Sequence, residues 1–312
     1  MIIETDGLAK RYGRTDALVD LSMQVDAGEV FGFLGPNGAG KTTAVKLLLG
    51  LARPSGGRGT VLGAPLGDRA ARRRVGYLPE LFRYQPWLRA REVLGLHARL
   101  SGSSDRSKTT FDRVLDEVGL LDRADDVVGD FSKGMQQRLG LGVALLGSPA
   151  LVVLDEPTSA LDPGGRADVR SIIRRVSDAG ATVFLNSHLL TEVERVCDRV
   201  AIVDHGRVLA SGRLDDLLGE PAVRIHATSF SSEAASGLAR FGRVLAAEDD
   251  DWFTIAGLDL AAIPDVVAAI VSSGGRVHAV DPGRATLEDR YLELIGRSGA
   301  GGDVAGTEAG AS

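Results

Sequence analysis

Up to about Gly219 the hydrophobic positions of the chain follow two alternating patterns. Short, wholly apolar runs over 30–34, 150–154 and 182–185 predict buried strands, because a parallel strand covered on both faces is apolar at every position. The stretches between them carry apolar residues at helical spacing. They predict a helix from about Lys41 and a mostly helical region over 111–146. The Arg- and Ser-rich residues 101–108 predict a loop between helices. The alternation is that of a mixed α/β domain over 1–219.

After Gly219 the pattern restarts. Strands are predicted over 223–227, 243–247, 252–256 and 276–280, with helices over 231–241 and 261–272. That β-α-β-β-α-β order predicts a small ferredoxin-like α+β unit spanning 220–296. An amphipathic helix over 286–295 closes it. Residues 297–312 are rich in Gly and Ala with almost no bulky apolar side chain, so they are expected to be disordered. There is no internal repeat, hence one set of motifs.

Composition narrows the field. The formal net charge of −6 argues against a broad nucleic-acid-binding surface, which needs a basic excess. Only five of the 36 basic residues are lysines, so a lysine inside a motif is informative. The one cysteine, Cys197, has no partner for an internal disulfide and fits a reducing compartment as a small buried hydrophobe. No signal-peptide apolar segment follows Met1. The longest uncharged run, 139–154, is broken by Gly140, Gly142, Gly147, Ser148 and Pro149, and falls short of the ~18 apolar residues of a spanning helix. Any membrane role is expected to come through a partner.

The chemistry starts at Gly35, Pro36, Asn37, Gly38, Ala39, Gly40, Lys41 and Thr42, which match G-x-x-x-x-G-K-[ST] between a predicted strand and a predicted helix. The glycines let successive backbone N–H groups turn inward and, with the helix N-terminus, form a nest for β- and γ-phosphates. Lys41 is expected to reach across those phosphates, Thr42 to ligate Mg²⁺ and Thr43 to bond the α-phosphate. The apolar run 151–154 ends in Asp155 and Glu156, and strand ends are where α/β sheets place chemistry. Asp155 suits Mg²⁺, and Glu156 suits polarisation of an attacking water.

The middle of the chain selects one family among the many that use such a loop. Phe131, Ser132, Lys133, Gly134, Met135, Gln136, Gln137 and Arg138 resemble the ABC signature, usually written L-S-G-G-Q. Ser159 to Asp162 resemble the D-loop, His188 the switch histidine, and Tyr12 the aromatic residue that stacks on adenine. The resemblance to ABC ATP-binding subunits covers about residues 2–219. It implies a P-loop NTPase fold with a RecA-like core, an antiparallel β subdomain and a helical signature subdomain. It also implies ATP hydrolysis with Mg²⁺, and a homodimer in which Ser132, Gly134 and Gln136 contact ATP held by the opposite subunit. Asp162 then lines the dimer seam, and His188 holds the γ-phosphate and water.

Two departures matter. Lys133 and Met135 fill the second and fourth signature positions, while Ser132, Gly134 and Gln136 are kept. Glu80, after Val75, Gly76, Tyr77, Leu78 and Pro79, stands where most members place Gln; it can still ligate Mg²⁺ but adds a charge. Gln85 is the alternative for that role. The pair of variants, with residues 285–294, resembles the ATPases of two-component ABC-2-type exporters of drugs, polysaccharides, lipids or ions. That branch implies a cytoplasmic subunit, peripheral at the inner face of the cell membrane through a separate multi-span permease. A groove along residues 82–88 is expected to receive a cytoplasmic helix of that permease. A soluble ABC ATPase acting on a ribosomal or nucleic-acid partner is the alternative; the chain lacks the second cassette, coiled-coil insertion or basic arms typical of that class.

Overall fold

The computed structural model describes residues 1–103, 105–159, 161–219, 222–229, 237–248, 251–283, 286–288, 290–292 and 294. It divides into two compact units, Met1–Leu214 and Asp215–Ser312. The Leu214 N–H, at the end of the first unit, donates to Asp198 O at 3.0 Å.

The first unit is built on a 10-stranded sheet in the order β5-β4-β1-β2-β10-β9-β3-β8-β7-β6. Its strands are β1 Ile3–Tyr12, β2 Thr15–Val25, β3 Val30–Leu34, β4 Gly56–Val61, β5 Ala64–Pro65, β6 Val75–Leu78, β7 Leu151–Asp155, β8 Thr182–Asn186, β9 Arg199–Asp204 and β10 Arg207–Arg213. The half containing β1, β2, β4 and β5 is antiparallel. From β9 through β3, β8 and β7 to β6 every pairing is parallel. Every residue of β3, β7 and β8 is buried, as their largely apolar runs require for strands covered on both faces, with Asp155, Thr182 and Asn186 as buried polar ends.

Helices α1 Lys41–Leu48, α2 Arg69–Arg72, α3 Ala90–Leu100, α4 Lys108–Glu117, α5 Lys133–Leu145, α6 Pro163–Asp178, α7 Leu190–Val196 and α8 Leu214–Leu218 follow in chain order. The buried side of α1 (Ala44, Val45, Leu47, Leu48) joins Phe31, Phe33, Val153 and Phe184 in one core. Helices α3, α4 and α5 pack on one another, and α5 also packs on β6. The region 111–146 is helical with two short 3-10 turns, Leu121–Arg123 and Val128–Asp130, between α4 and α5. The loop expected over 101–108 lies between α3 and α4.

The second unit holds a 4-stranded antiparallel sheet in the order β12-β13-β11-β14. Its strands are β11 Ala222–Thr228, β12 Arg243–Glu248, β13 Trp252–Ala256 and β14 Arg276–Gly283, with α9 Ile263–Ser272 against them. Counted within the unit this is the strand order 2-3-1-4 that a ferredoxin-like β-α-β-β-α-β chain produces. Val223, Ile225, Phe253, Ile255, Val266 and Ile270 form its core. Strand β14 runs three residues past the expected end, and α9 starts after a 3-10 turn, Leu260–Ala262, with proline in its first turn. Of the helix expected over 231–241, residues 231–236 lie outside the described residues, and Leu238–Arg240 is a 3-10 turn. The tail 297–312 lies outside them altogether.

Candidate functional site

Because β6, β7, β8 and β3 run parallel, their C-terminal ends share one edge of the sheet. The chain leaves that edge at Gly35, Glu80, Glu156 and His188, each within a few residues of its strand. Ligand sites in such sheets form outside these strand ends.

At the end of β3, residues 35–40 turn back into α1. Gly40 sits at the helix N-cap with φ 99°, and Gly38 has φ 87°, a left-handed region that disfavours side chains. A Cβ on Gly40 would lie 2.3 Å from Ala17 O, and one on Gly35 2.3 Å from Val203 O. The loop is thus packed on its outer side and lined by backbone within. The first N–H groups of α1, from Lys41 onward, have no partner inside the helix and are free to bind an anion. Lys41 is 8% exposed, and its Nζ donates to Gly35 O at 2.6 Å and Pro36 O at 3.1 Å. Burial lowers its pKa, while the charges of Glu156, Asp155 and Glu80 oppose the shift. Thr42 is exposed and Thr43 half-buried beside it; Pro36 is half-buried, Ala39 buried and Asn37 exposed.

Asp155 is 3% exposed, and burial raises its pKa; the hydrogen bond from Asn186 pulls the other way, while Glu80 and Glu156 reinforce the rise. Tyr77, in β6, has its phenol pushed up to about 12, first by burial and then by Asp155 and Glu80. The electrostatic coupling of Lys41, Asp155, Glu156 and Glu80 makes them one site. Glu156 takes a left-handed φ of 53°, unusual for a residue with a side chain. Its N–H donates to Asn186 O at 2.9 Å, which fixes the turn off β7. Its carboxylate meets His188 Nδ1 at 2.8 Å and accepts from Ser187 Oγ at 3.5 Å.

Oxygen donors predominate here: the Thr42 hydroxyl, the Asp155 and Glu80 carboxylates, and the buried Asn186 Oδ1, which has no hydrogen-bond partner among the described residues. That set suits a hard divalent cation such as Mg²⁺. Among the described residues no three His, Cys, Asp or Glu side chains form a metal cluster.

The remaining expected residues lie apart from this group. Tyr12 is 48% exposed at the end of β1, with Lys10 Nζ 4.7 Å from its ring centroid. Ser132 caps α5, its Oγ accepting from the Met135 N–H at 3.2 Å. Gly134 is half-buried in the first turn, and Gln136 donates from its side chain to Phe131 O at 3.2 Å. Asp162 caps α6 through the Gly165 N–H at 2.7 Å. Among the described residues, Ser132, Gly134 and Gln136 make no hydrogen bond to the loop 35–43 of their own chain. Asn186, Ser187 and Tyr77 were not among the expected site residues. A polar Asn ending an apolar strand two residues before His188 was the available signal, and the register Asp155↔Asn186 gives it meaning.

Comparison with known proteins agrees with this geometry. The ABC transporter family profile matches residues 18–159. Over 308 residues the chain is 34% identical to the daunorubicin/doxorubicin resistance ATP-binding protein DrrA of Streptomyces peucetius, covering 94% of this chain and 92% of that one. Over 220 residues it is 40% identical to the Nod factor export ATP-binding protein I of Cupriavidus pinatubonensis, covering 70% and 68%. A solved ATP-binding subunit of an ABC transporter superposes with a TM-score of 0.62 at 34% identity, over 70% of this chain and 92% of that one. By its phosphate loop, its strand-end acids and these relatives, the chain belongs to the ABC transporter family as an ATP-binding subunit, a class that hydrolyses ATP to power transport.

Proposed function

We propose that this chain is half of an export motor: two copies close over two ATP molecules and drive a separate multi-span permease of the ABC-2 type. The observation that carries the reading is Ser132. It is exposed at the N-terminus of α5, makes no hydrogen bond to its own loop 35–43, and caps a helix whose first N–H groups suit a phosphate. A second copy turned by a two-fold axis supplies that helix end to the first copy's nucleotide, with Gly134 and Gln136 beside it and Asp162 at the seam.

Within each site, Tyr12 stacks on adenine. Residues 35–40 and the start of α1 cradle the phosphates, Lys41 bridges the β- and γ-phosphates, and Thr43 bonds the α-phosphate. Thr42, Asp155 and Glu80 would hold Mg²⁺, which would neutralise charge on the phosphates. Glu156 accepts a proton as water attacks the γ-phosphorus; the bond to the bridging oxygen breaks and ADP leaves. His188, exposed beyond Glu156, positions the γ-phosphate and water.

Relatives include a Nod factor export ATP-binding protein, which supports export as the direction. No helix among the described residues is long and apolar enough to cross a membrane, so the pathway belongs to the permease. The chain then works at the cytoplasmic face of the membrane. Phe82 and Tyr84 are half-buried against each other and His97, while Leu81 and Trp87 stand 87% and 72% exposed along the expected docking segment. Beside them a cleft of about 700 Å³ runs between Arg69, Arg72, Arg73, Tyr77, His97 and Leu100. Those arginines have no carboxylate partner among the described residues, which favours a permease helix carrying acidic side chains.

Membranes from cells expressing the permease are expected to retain the chain, and membranes without it to release it. Sedimentation with ribosomes in place of membranes would sink the transport reading. Glu156→Gln is expected to trap an ATP-bound dimer; unchanged turnover in that variant would remove Glu156 from its role.

A further inference from the structure

Asn186 is the last residue of β8 and lies between Phe33 of β3 and Asp155 of β7 in register. It is 1% exposed. Its side-chain Nδ2 donates to Asp155 Oδ1 at 2.5 Å, and its backbone oxygen accepts the Glu156 N–H at 2.9 Å. One residue therefore holds both strand-end acids, one through its side chain and one through its main chain.

The orientation of the amide follows from chemistry. A carboxylate only accepts, so the NH₂ must face Asp155 and the carbonyl must face away. That leaves Asn186 Oδ1 buried with no hydrogen-bond partner among the described residues. A buried unpaired acceptor is costly and uncommon in folded proteins, and calls for a partner that arrives with a ligand. An apolar residue in its place would avoid the cost, as leucine and valine do elsewhere in these strands.

We propose that Asn186 is a positioning residue for the metal. Its Nδ2 fixes the carboxylate of Asp155, and its Oδ1 accepts a hydrogen bond from a water carried in by the Mg²⁺ ion of the nucleotide complex. The inference rests on the ATP–Mg²⁺ reading of the site. It extends that reading to a residue outside the phosphate loop, the acids and the signature. Partners of this kind orient metal ligands, and their removal typically lowers metal affinity 10- to 100-fold.

The test uses Mn²⁺ in place of Mg²⁺, with bound ion read by electron paramagnetic resonance in the presence of ATP. Asn186→Leu, close in size, removes both polar groups. The expected result is Mn²⁺ affinity lowered roughly 10- to 100-fold, ATP affinity in EDTA within about twofold of the parent, and a cooperative melt without metal, lowered by the loss of the one hydrogen bond to Asp155. Asn186→Asp, which keeps an acceptor but sets a second carboxylate against Asp155, is expected to lose Asp155 fixation and weaken ATP·Mn²⁺ as well. If Asn186→Leu does not fold, Asn186→Ala, which also removes both polar groups, is read in the same way. Parent-like Mn²⁺ affinity in a folded Asn186→Leu or Asn186→Ala protein overturns the proposal and leaves Asn186 a packing residue. Absence of metal-dependent ATP binding in the parent protein overturns the underlying reading instead.

Discussion

His188 Nδ1 lies 2.8 Å from Glu156 Oε2, joining the side chain that follows β8 to the one that follows β7. The carboxylate is 9% exposed and the imidazole 52%, so the pair has one end in the protein and one toward solvent. A carboxylate on Nδ1 fixes that nitrogen as the donor and, on the proposed function, leaves Nε2 for the γ-phosphate and water. His188→Ala is therefore expected to lower ATP turnover by roughly 10²- to 10⁴-fold. ATP affinity should stay within a few-fold. Single-turnover hydrolysis beside equilibrium ATP binding separates the two; equal loss in both would make His188 a binding residue only.

The buried acid sets a pH signature. Burial raises the pKa of Asp155 above its ordinary 3.8. The folded state thus holds that proton more tightly than the unfolded state. Stability from this group is full below 3.8 and is lost as pH rises through the raised value. Asp155→Asn removes the loss and can still accept from Asn186. Without nucleotide or metal, the variant is expected to melt above the parent at pH 7.5. The gap should close as pH falls toward 4. A variant that melts below the parent at neutral pH contradicts the argument.

Two glycines of the phosphate loop should behave differently. Gly38 and Gly40 both have positive φ, but a Cβ on Gly38 meets nothing within 4 Å, whereas one on Gly40 meets Ala17 O at 2.3 Å. Gly38→Ala carries backbone strain of about 1 kcal/mol, while Gly40→Ala adds a clash with main chain and is expected to cost about 2–4 kcal/mol. Urea unfolding of both variants, with ATP binding measured alongside, checks the ranking. ATP binding should fall further in Gly40→Ala.

Much of this site is legible in the linear pattern, because strand, loop and acids are local. An apolar run, a glycine turn and a lysine specify the β3–α1 junction without tertiary information, and Asp155 and Glu156 announce themselves as charges ending a buried strand. What could not be read is what strand order creates. Asn186 acquires its place only because β8 inserts between β3 and β7. The left-handed turn at Glu156 is set by the Asn186 carbonyl, which no local pattern encodes. Ser132 and Asp162 were read for ligand and interface roles, and the structure gives both a second task as helix caps.

The central claim is that each hydrolytic site takes its phosphate loop from one copy and its signature from the other. Two variants test it together: Lys41→Ala, which disables the loop, and Ser132→Arg, which blocks the signature. Each alone is expected to be nearly inactive. In an equimolar mixture half the dimers are mixed, and each mixed dimer holds one intact site of two, so activity should recover to roughly a quarter of the parent. Hydrolysis by Ser132→Arg alone at the parent rate, or a mixture as inactive as its components, would contradict the account.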